Sequence, residues 1–258
     1  MKAAAAALIV VFKELASDLT YDIALQLVTD EEVGGIHGAK YQLEKDVKAD
    51  FILAGENTDL LINNEAKGIL RVKLVSKGKT SHGAYPWLGT NALLNVIKGI
   101  EATLAVYPVP RKEVWRTTAN LATLSTTNDA YNKVPDFAEA VFDIRFIPKE
   151  KDTVIAKCKN ALPKSVHLEV LSIDPPSFTP ETDQYVKHLQ HSVKVITGRE
   201  GKLVSKHGGS DIRFYTEQGI SGVTFGPVGA GHHSDEEWVD LKSLEKYYEI
   251  LKDFLLTL

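Results

Sequence analysis

The stretch from residue 68 to residue 172 constrains the fold most, because it sets four strand patterns and two helix patterns in a fixed order. Residues 68–76 alternate apolar and polar side chains as a half-exposed strand does, and residues 91–107 carry apolar side chains at helical spacing. Two more strands are predicted around 117–125 and 138–147, then a helix at 151–161 and a strand at 167–172. The resulting order, β-α-β-β-α-β, is that of a ferredoxin-like unit.

The segments on either side of this unit carry patterns that fit an α/β domain. Residues 1–64 read as helix, strand, helix and strand, and the chain ends in an amphipathic helix at 241–256. The Pro-Pro pair at 175–176 indicates a linker between the two parts. We therefore predict two domains, one of residues 1–64 and 177–258 and the other of residues 65–176.

Composition limits the classes of partner and compartment. The net charge of -4 gives no reason to expect a nucleic acid as partner. Cys158 is the only cysteine, which excludes an intrachain disulfide and fits the cytoplasm. The alanine-rich run at 3–12 is too short to span a bilayer, so we expect no membrane insertion. It has high helix propensity and also the composition of a secretory signal, and both interpretations stay open here.

Two adjacent carboxylates, Glu31 and Glu32, stand between an apolar run at 22–28 and a pair of glycines. The run predicts a strand, and ligands of open α/β sheets collect at the carboxyl ends of strands. Adjacent acids repel each other and are usually offset by a cation or a helix N-terminus. A structural alternative is a capping box, with Thr29 as the N-cap and Glu32 as its partner on a following helix.

Two other strand ends carry groups that could join this pair. Glu56 follows the apolar run at 51–53, and His232 and His233 follow the run at 222–225, just before several acids. Two glutamates and a histidine form a mixed nitrogen and oxygen set of the kind that holds zinc in hydrolytic sites.

Five segments occur in an order that is typical of one family. They are the acidic pair within 29–39, Ser81-His82-Gly83-Ala84-Tyr85-Pro86, Asn132-Lys133-Val134-Pro135 followed by Phe142-Asp143-Ile144-Arg145, the segment 208–214, and the segment 233–239. With these motifs the chain resembles the zinc-dependent exopeptidases and deacylases that include acetylornithine deacetylase, succinyl-diaminopimelate desuccinylase and carboxypeptidase G. The resemblance implies a zinc-peptidase-like α/β catalytic domain with an inserted ferredoxin-like α+β lid and dimerisation domain.

The resemblance also implies roles for individual residues. Glu31 is expected to be the general base, and His82 is expected to stabilise an oxyanion in the other subunit of a homodimer. The expected metal ligands are Glu32, Glu56 and His233, which would bind two zinc ions, or cobalt in place of zinc. His232 is the alternative ligand, and we interpret it as a surface loop residue. The expected substrate-binding residues are Tyr85, Asn132, Arg145, Gly209 and Ser210. For Arg145, a structural pair with Asp143 is an equal alternative.

One departure from the family pattern concerns the N-terminal segment. The family begins with a His-x-Asp motif and a bridging Asp, whereas this chain opens at Met1-Lys2-Ala3-Ala4, which resembles the helix start that follows them. We therefore expect an N-terminally truncated member whose substrates are N-acyl amino acids or peptides. Its ancestral activity would be N-deacylation or C-terminal exopeptidase cleavage, inactive in this chain unless a separate N-terminal fragment joins it. The alternative is a non-catalytic dimerising remnant of the family.

Overall fold

Seven α-helices and eleven strands form along the chain, and the computed structural model describes all 258 residues. The helices are α1 Lys2–Leu15, α2 Tyr41–Glu44, α3 Ala92–Val106, α4 Val154–Ala161, α5 Gln184–Thr197, α6 Ile212–Glu217 and α7 Leu241–Thr257. The strands are β1 Phe51–Gly55, β2 Ile62–Ala66, β3 Gly68–Lys77, β4 Thr118–Thr126, β5 Phe137–Phe146, β6 His167–Asp174, β7 Ser177–Phe178, β8 Leu203–Lys206, β9 Ser221–Phe225, β10 Gly229–Ala230 and β11 Trp238–Val239.

These elements belong to two units. The first unit contains Met1–Ala66 and Ser177–Leu258, and the second contains Lys67–Pro176. Each unit has its own cluster of buried apolar side chains. None of the helices is long and apolar enough to cross a lipid bilayer.

A mixed sheet organises the first unit. Its strand order is β1-β9-β2-β7, and β8 also pairs with β2. β1 and β9 run parallel, with Phe51 opposite Ser221 and Gly55 opposite Phe225. Their carboxyl ends therefore meet at one edge of the sheet, where Glu56 directly follows β1.

The alanine-rich run forms α1 and packs into the core of the first unit. Ala4, Ala7, Val11 and Leu15 are buried, at the spacing of one helix face. A Cβ atom on Gly55 would lie 3.1 Å from the Ala4 Cβ and closer still to Leu8, so the helix lies tightly against β1. α5 and α7 complete this core, and aspartates cap both helices at their N-termini.

The expectation of a strand at 22–28 is wrong. β1 is an edge strand, and residues 22–28 form no ladder with it. The segment is fixed in part by a side chain, since the Tyr215 hydroxyl donates to Gln26 Oε1 at 2.7 Å. An apolar run becomes a strand only where a neighbouring strand pairs with its backbone groups, and this condition is not local.

The second unit has the β-α-β-β-α-β order that the sequence predicts. Its four strands are antiparallel in the order β4-β5-β3-β6. Leu70, Val72 and Leu74 of β3 point to one buried face, which α3 and α4 cover. α3 begins where predicted because the Asn91 side chain accepts a hydrogen bond from Leu94 N.

Candidate active site

The acidic pair lies on a single 3-10 turn, Glu31–Val33. Gly34 (φ 110°) and Gly35 (φ 66°) end this turn in the left-handed region, which glycine adopts without steric cost. The Asp30 carbonyl closes the loop by accepting from Val33 N at 3.1 Å and Gly35 N at 2.8 Å. The carboxylates of the pair make no hydrogen bond, so the backbone of the loop sets their position.

The capping-box alternative is also wrong. Asp30 Oδ2 accepts hydrogen bonds from His37 N at 2.8 Å and Gly38 N at 3.1 Å. These amides belong to the first turn of the π-helical segment Ile36–Lys40, which continues into α2. The N-cap position is Gly35 rather than Thr29, and Glu32 lies outside the helix. Neither acid of the pair is needed to start the helix.

Glu32 lies beside His233. The two atoms His233 Nε2 and Glu32 Oε2 are 3.6 Å apart, and both side chains are more than half exposed. His233 follows β10 and has φ 60°, a left-handed conformation that few residues other than glycine adopt. Strained backbone of this kind occurs where neighbouring structure holds a side chain in a particular direction. Here it accompanies an imidazole placed next to a carboxylate.

A group of acids surrounds Glu31. Burial, together with the negative charges of Glu56, Asp211 and Glu32, raises the pKa of Glu31 to about 7. The guanidinium of Arg213 opposes this shift. Like charges so close together favour either protonation or a bound cation.

Glu56 belongs to the same group. Burial raises its pKa, and the charge of Glu32 acts in the same direction. Lys206 and His232 oppose the shift with positive charge, so His232 also lies near this glutamate. Lys206 Nζ donates to the Asn57 carbonyl at 3.0 Å, which holds it beside the end of β1.

The expected metal ligands fit a divalent ion in type and only partly in arrangement. Carboxylates and imidazoles are ordinary zinc ligands. Glu32 and His233 lie together, and Glu56 is close enough to Glu32 for that negative charge to raise its pKa. No group of three or more His, Cys, Asp or Glu side chains is arranged to hold one ion.

The expected substrate residues Gly209 and Ser210 differ in exposure. Gly209 is exposed, with open space around its Cα, whereas Ser210 is buried. The Ser210 carbonyl accepts a hydrogen bond from Arg213 Nη1 at 2.9 Å. Ser210 therefore takes part in a buried network, and its role toward substrate stays a prediction.

Three of the expected functional residues in the second unit lie on one exposed surface. His82 pairs with Lys133 in a short β-bridge, and Gly83 N donates to the Asn132 carbonyl at 2.6 Å. The His82 and Tyr85 rings are 5.9 Å apart. His82 Nδ1 accepts from Ala84 N at 3.0 Å, which places the ring proton on Nε2. His82 Nε2 can therefore donate a hydrogen bond to a group outside the loop.

Arg145 is engaged within its own strand. Its Nε and Nη2 atoms contact the two carboxylate oxygens of Asp143 at 2.6 and 3.2 Å. This is the structural pair that the sequence offered as an equal alternative. Arg145 could bind a substrate carboxylate only if its guanidinium moved away from Asp143.

Comparison with known proteins identifies the family. A sequence profile described as peptidase family M20/M25/M40 matches residues 1–257. The chain belongs to this family. Its mixed α/β fold resembles the crystal structure of the aminopeptidase PepT from Bacillus cereus, with a TM-score of 0.80 and 24% identity over 98% of this chain and 69% of that one.

Relatives of this M20 chain include a desuccinylase and a metallohydrolase. It is 28% identical to a succinyl-diaminopimelate desuccinylase of Pelagibacter ubique, over 90% of the chain and 66% of the relative. It is 26% identical to an uncharacterized metallohydrolase of Methanocaldococcus jannaschii, over 90% of the chain and 65% of the relative. The chain thus spans slightly less than two thirds of the length of these two relatives.

Three residues near the acidic group of this M20 chain could not be given a role from the sequence. Asp211 and Arg213 lie in the segment 208–214, and their residue types fit a structural role as well as a functional one. Lys206 has no motif at all, although its charge acts on Glu56. Only tertiary contacts show that all three lie beside the acidic group.

Proposed function

We propose that this M20 chain supplies the proton acceptor and part of the metal-binding set of a metal-dependent amide hydrolase. The observation that carries the proposal is the placement of Glu31 and Glu32 on one turn, with the His233 imidazole 3.6 Å from Glu32. Glu56 adds a third carboxylate that acts electrostatically on both glutamates. Such a set combines proton transfer with cation binding, which metal-assisted hydrolysis requires.

Glu32, Glu56 and His233 would hold the metal. Zinc is the proposed ion, with cobalt as its alternative, and the family resemblance implies two ions in a complete site. When bound, the ion supplies Lewis-acid chemistry at the scissile carbonyl. The carboxylates of Glu32 and Glu56 supply negative charge, and His233 supplies a neutral nitrogen ligand.

Glu31 is the proposed general base. Its carboxylate makes no hydrogen bond and is not assigned to the metal, so its oxygens are available to a water proton. Glu31 would take this proton as the water oxygen bonds to the carbonyl carbon. It would then deliver the proton to the leaving nitrogen as the carbon–nitrogen bond breaks.

The proposed substrates are N-acyl amino acids or short peptides. One relative is named a desuccinylase, and one similar structure is named an aminopeptidase. We propose N-deacylation of an amino acid or C-terminal exopeptidase cleavage for this chain when its site is complete. Five residues would contact substrate: Tyr85, Asn132, Arg145, Gly209 and Ser210.

We propose that residues 65–176 form a lid through which two copies of the chain pair. β4 is an edge strand that is exposed along most of its length, so its outer backbone groups can pair with another strand. α3 exposes Leu94 and Ile97 on its surface. In such a homodimer His82 would reach the partner subunit's Glu31 and donate to an oxyanion.

A cytoplasmic location is part of the proposal. Cys158 is the only cysteine, and it is buried and unpaired. Free thiols persist where the compartment is reducing. Fractionation of cells that express the protein would test this placement.

A non-catalytic dimerising remnant is the second candidate. The absence of any three-donor cluster favours it, because fewer ligands bind a metal more weakly. Under this alternative the acidic pair is retained from the family but the protein catalyses no reaction. The two candidates differ in what they predict when a polypeptide that carries the family's His-x-Asp motif is added.

The test therefore adds a polypeptide that carries this motif, joined to the chain or as a separate molecule, and measures zinc content and amide hydrolysis together. Glu31→Gln should lower turnover about 10²- to 10⁴-fold with zinc content unchanged, because only the proton acceptor is lost. Glu32→Gln should lower both, because a charged ligand is lost. Glu44→Gln, at an exposed acid of α2, is the matched control and should change neither.

Two outcomes would contradict the proposal. Full activity in Glu31→Gln would remove the assigned base. A joined protein that binds no zinc and cleaves neither N-acyl amino acids nor peptides would favour the remnant.

A further inference from the structure

The position of the acidic pair depends on what holds its loop. The side chains of Glu31 and Glu32 make no hydrogen bond, and the 3-10 turn that carries them is closed only by local backbone bonds. One short turn that ends in two left-handed glycines has little stiffness of its own. Contacts from elsewhere in the first unit must therefore fix its direction.

Arg213 makes one of these contacts. Its Nη2 donates to the Gly34 carbonyl at 2.7 Å, and its Nη1 donates to the Ser210 carbonyl at 2.9 Å. Arg213 is buried at 8% exposure, and its Nε has no hydrogen-bond partner. The guanidinium is thus held by hydrogen bonds from its two terminal nitrogens, and the bond from Nη2 connects it to the acidic loop.

Asp211 fixes the next residue of the same loop. A Cβ atom on Gly35 would lie 2.0 Å from Asp211 Oδ1, so the carboxylate packs directly on the glycine. The same oxygen is 3.5 Å from Arg213 Nη1. The buried pair therefore touches two consecutive residues of the loop, Gly34 and Gly35.

We infer that Arg213 is a positioning residue that directs Glu31 and Glu32 through the Gly34 carbonyl. The inference rests on the proposed metal role of Glu32 and deepens it. Lysine is a poor substitute for this arginine, because its ammonium is a point charge on a flexible stem and lacks the rigid planar donors of a guanidinium. Asp211 supports the arrangement through its contact with Arg213 Nη1 at 3.5 Å.

The test has two arms on the full 258-residue chain. In the first arm, zinc chloride is titrated calorimetrically into the wild type, Arg213→Lys and the matched control Arg199→Lys, which changes an exposed arginine. We expect Arg213→Lys to bind zinc about 10- to 100-fold more weakly, as for other residues that orient metal ligands. The control should bind like the wild type.

In the second arm, hydrogen exchange is measured at the amides of residues 33–35 without metal. We expect exchange there to rise about tenfold or more in Arg213→Lys, with α1 and β9 unchanged, since local opening can occur without global unfolding. A purely structural role would instead lower protection throughout the first unit and leave zinc affinity per folded molecule unchanged.

The outcomes separate the inference from the proposed function. Wild-type affinity and wild-type loop exchange in Arg213→Lys would overturn the inference. If the wild type binds no measurable zinc, the exchange arm alone decides the positioning role, and the proposed function is decided separately by the zinc content and amide hydrolysis of the joined protein. If Arg213→Lys unfolds, Asp211→Asn replaces it. In that variant, wild-type zinc affinity and loop exchange would overturn the inference.

Discussion

Replacing Gly35 with alanine should test the packing of the acidic loop most directly. Gly35 has φ 66°, and an added Cβ would lie 2.0 Å from Asp211 Oδ1. Gly198, at the end of α5, has φ 69° and no atom within 4 Å of an added Cβ. The two positions share a backbone conformation and differ in their surroundings, so Gly198→Ala is the matched control.

The size of the difference follows from these contacts. A left-handed residue with a side chain costs about 1–2 kcal/mol at either position. At Gly35 the Asp211 oxygen must also retreat from 2.0 Å to at least 3.4 Å, the ordinary range of contact. Inserting an extra carbon into a packed position forces such shifts at a cost of about 1–3 kcal/mol. We therefore expect Gly35→Ala to lose about 1–3 kcal/mol more than Gly198→Ala.

The measurement must report on the first unit, because two units can unfold separately. Hydrogen exchange of the α1 and α5 amides, followed at increasing urea concentration, gives the free energy of unfolding of that unit. Equal losses in the two variants, within about 0.5 kcal/mol, would refute the reasoning. They would show that the loop moves away from Asp211 without cost.

Three other predictions concern metal, assembly and the thiol. We expect this chain alone to bind at most one zinc ion weakly and to hydrolyse no amide above background, since Glu32 and Glu56 supply only two negative charges. Metal analysis that finds two tightly held ions per chain would contradict this. We expect a homodimer held by residues 65–176, and light scattering that reports only monomer at micromolar concentration would count against it. Burial raises the pKa of Cys158 to about 11, so the thiolate should be scarce at pH 8. Its reaction with a disulfide reagent should then be slow in the folded protein and fast in urea.

The sequence predicted the elements of the second unit well, because their signals are local. Alternation over 68–76 and the Asn91 cap each act within a few residues of the element that they define. The run at 22–28 carried an equally apolar pattern and formed no strand. A strand depends on a partner, and neither its presence nor its absence is written in the run itself.

The capping error has a similar origin. Thr29 and Asp30 are both good N-cap residues, and the sequence offers them side by side. Neither is the N-cap, because the helix begins only at Ile36, after the left-handed Gly34 and Gly35. Asp30 instead accepts hydrogen bonds from His37 N and Gly38 N in the first turn, and Glu32 lies outside the helix.

The site shows the same division between local and distant information. The motif that carries Glu31 and Glu32 can be read from the chain, because their residue types and spacing express the chemistry directly. The support of that motif cannot be read in this way, since Arg213 reaches Gly34 from far along the sequence. Its guanidinium acts on a backbone carbonyl, and an acceptor that every residue possesses leaves no signature in residue type. Gly35 is the exception, because a side chain there would collide with Asp211. The glycine at this position of the acidic motif therefore reflects that contact in the sequence. Substitutions at Gly35 and Arg213 should therefore disturb the acidic pair without changing any residue proposed to touch metal or substrate.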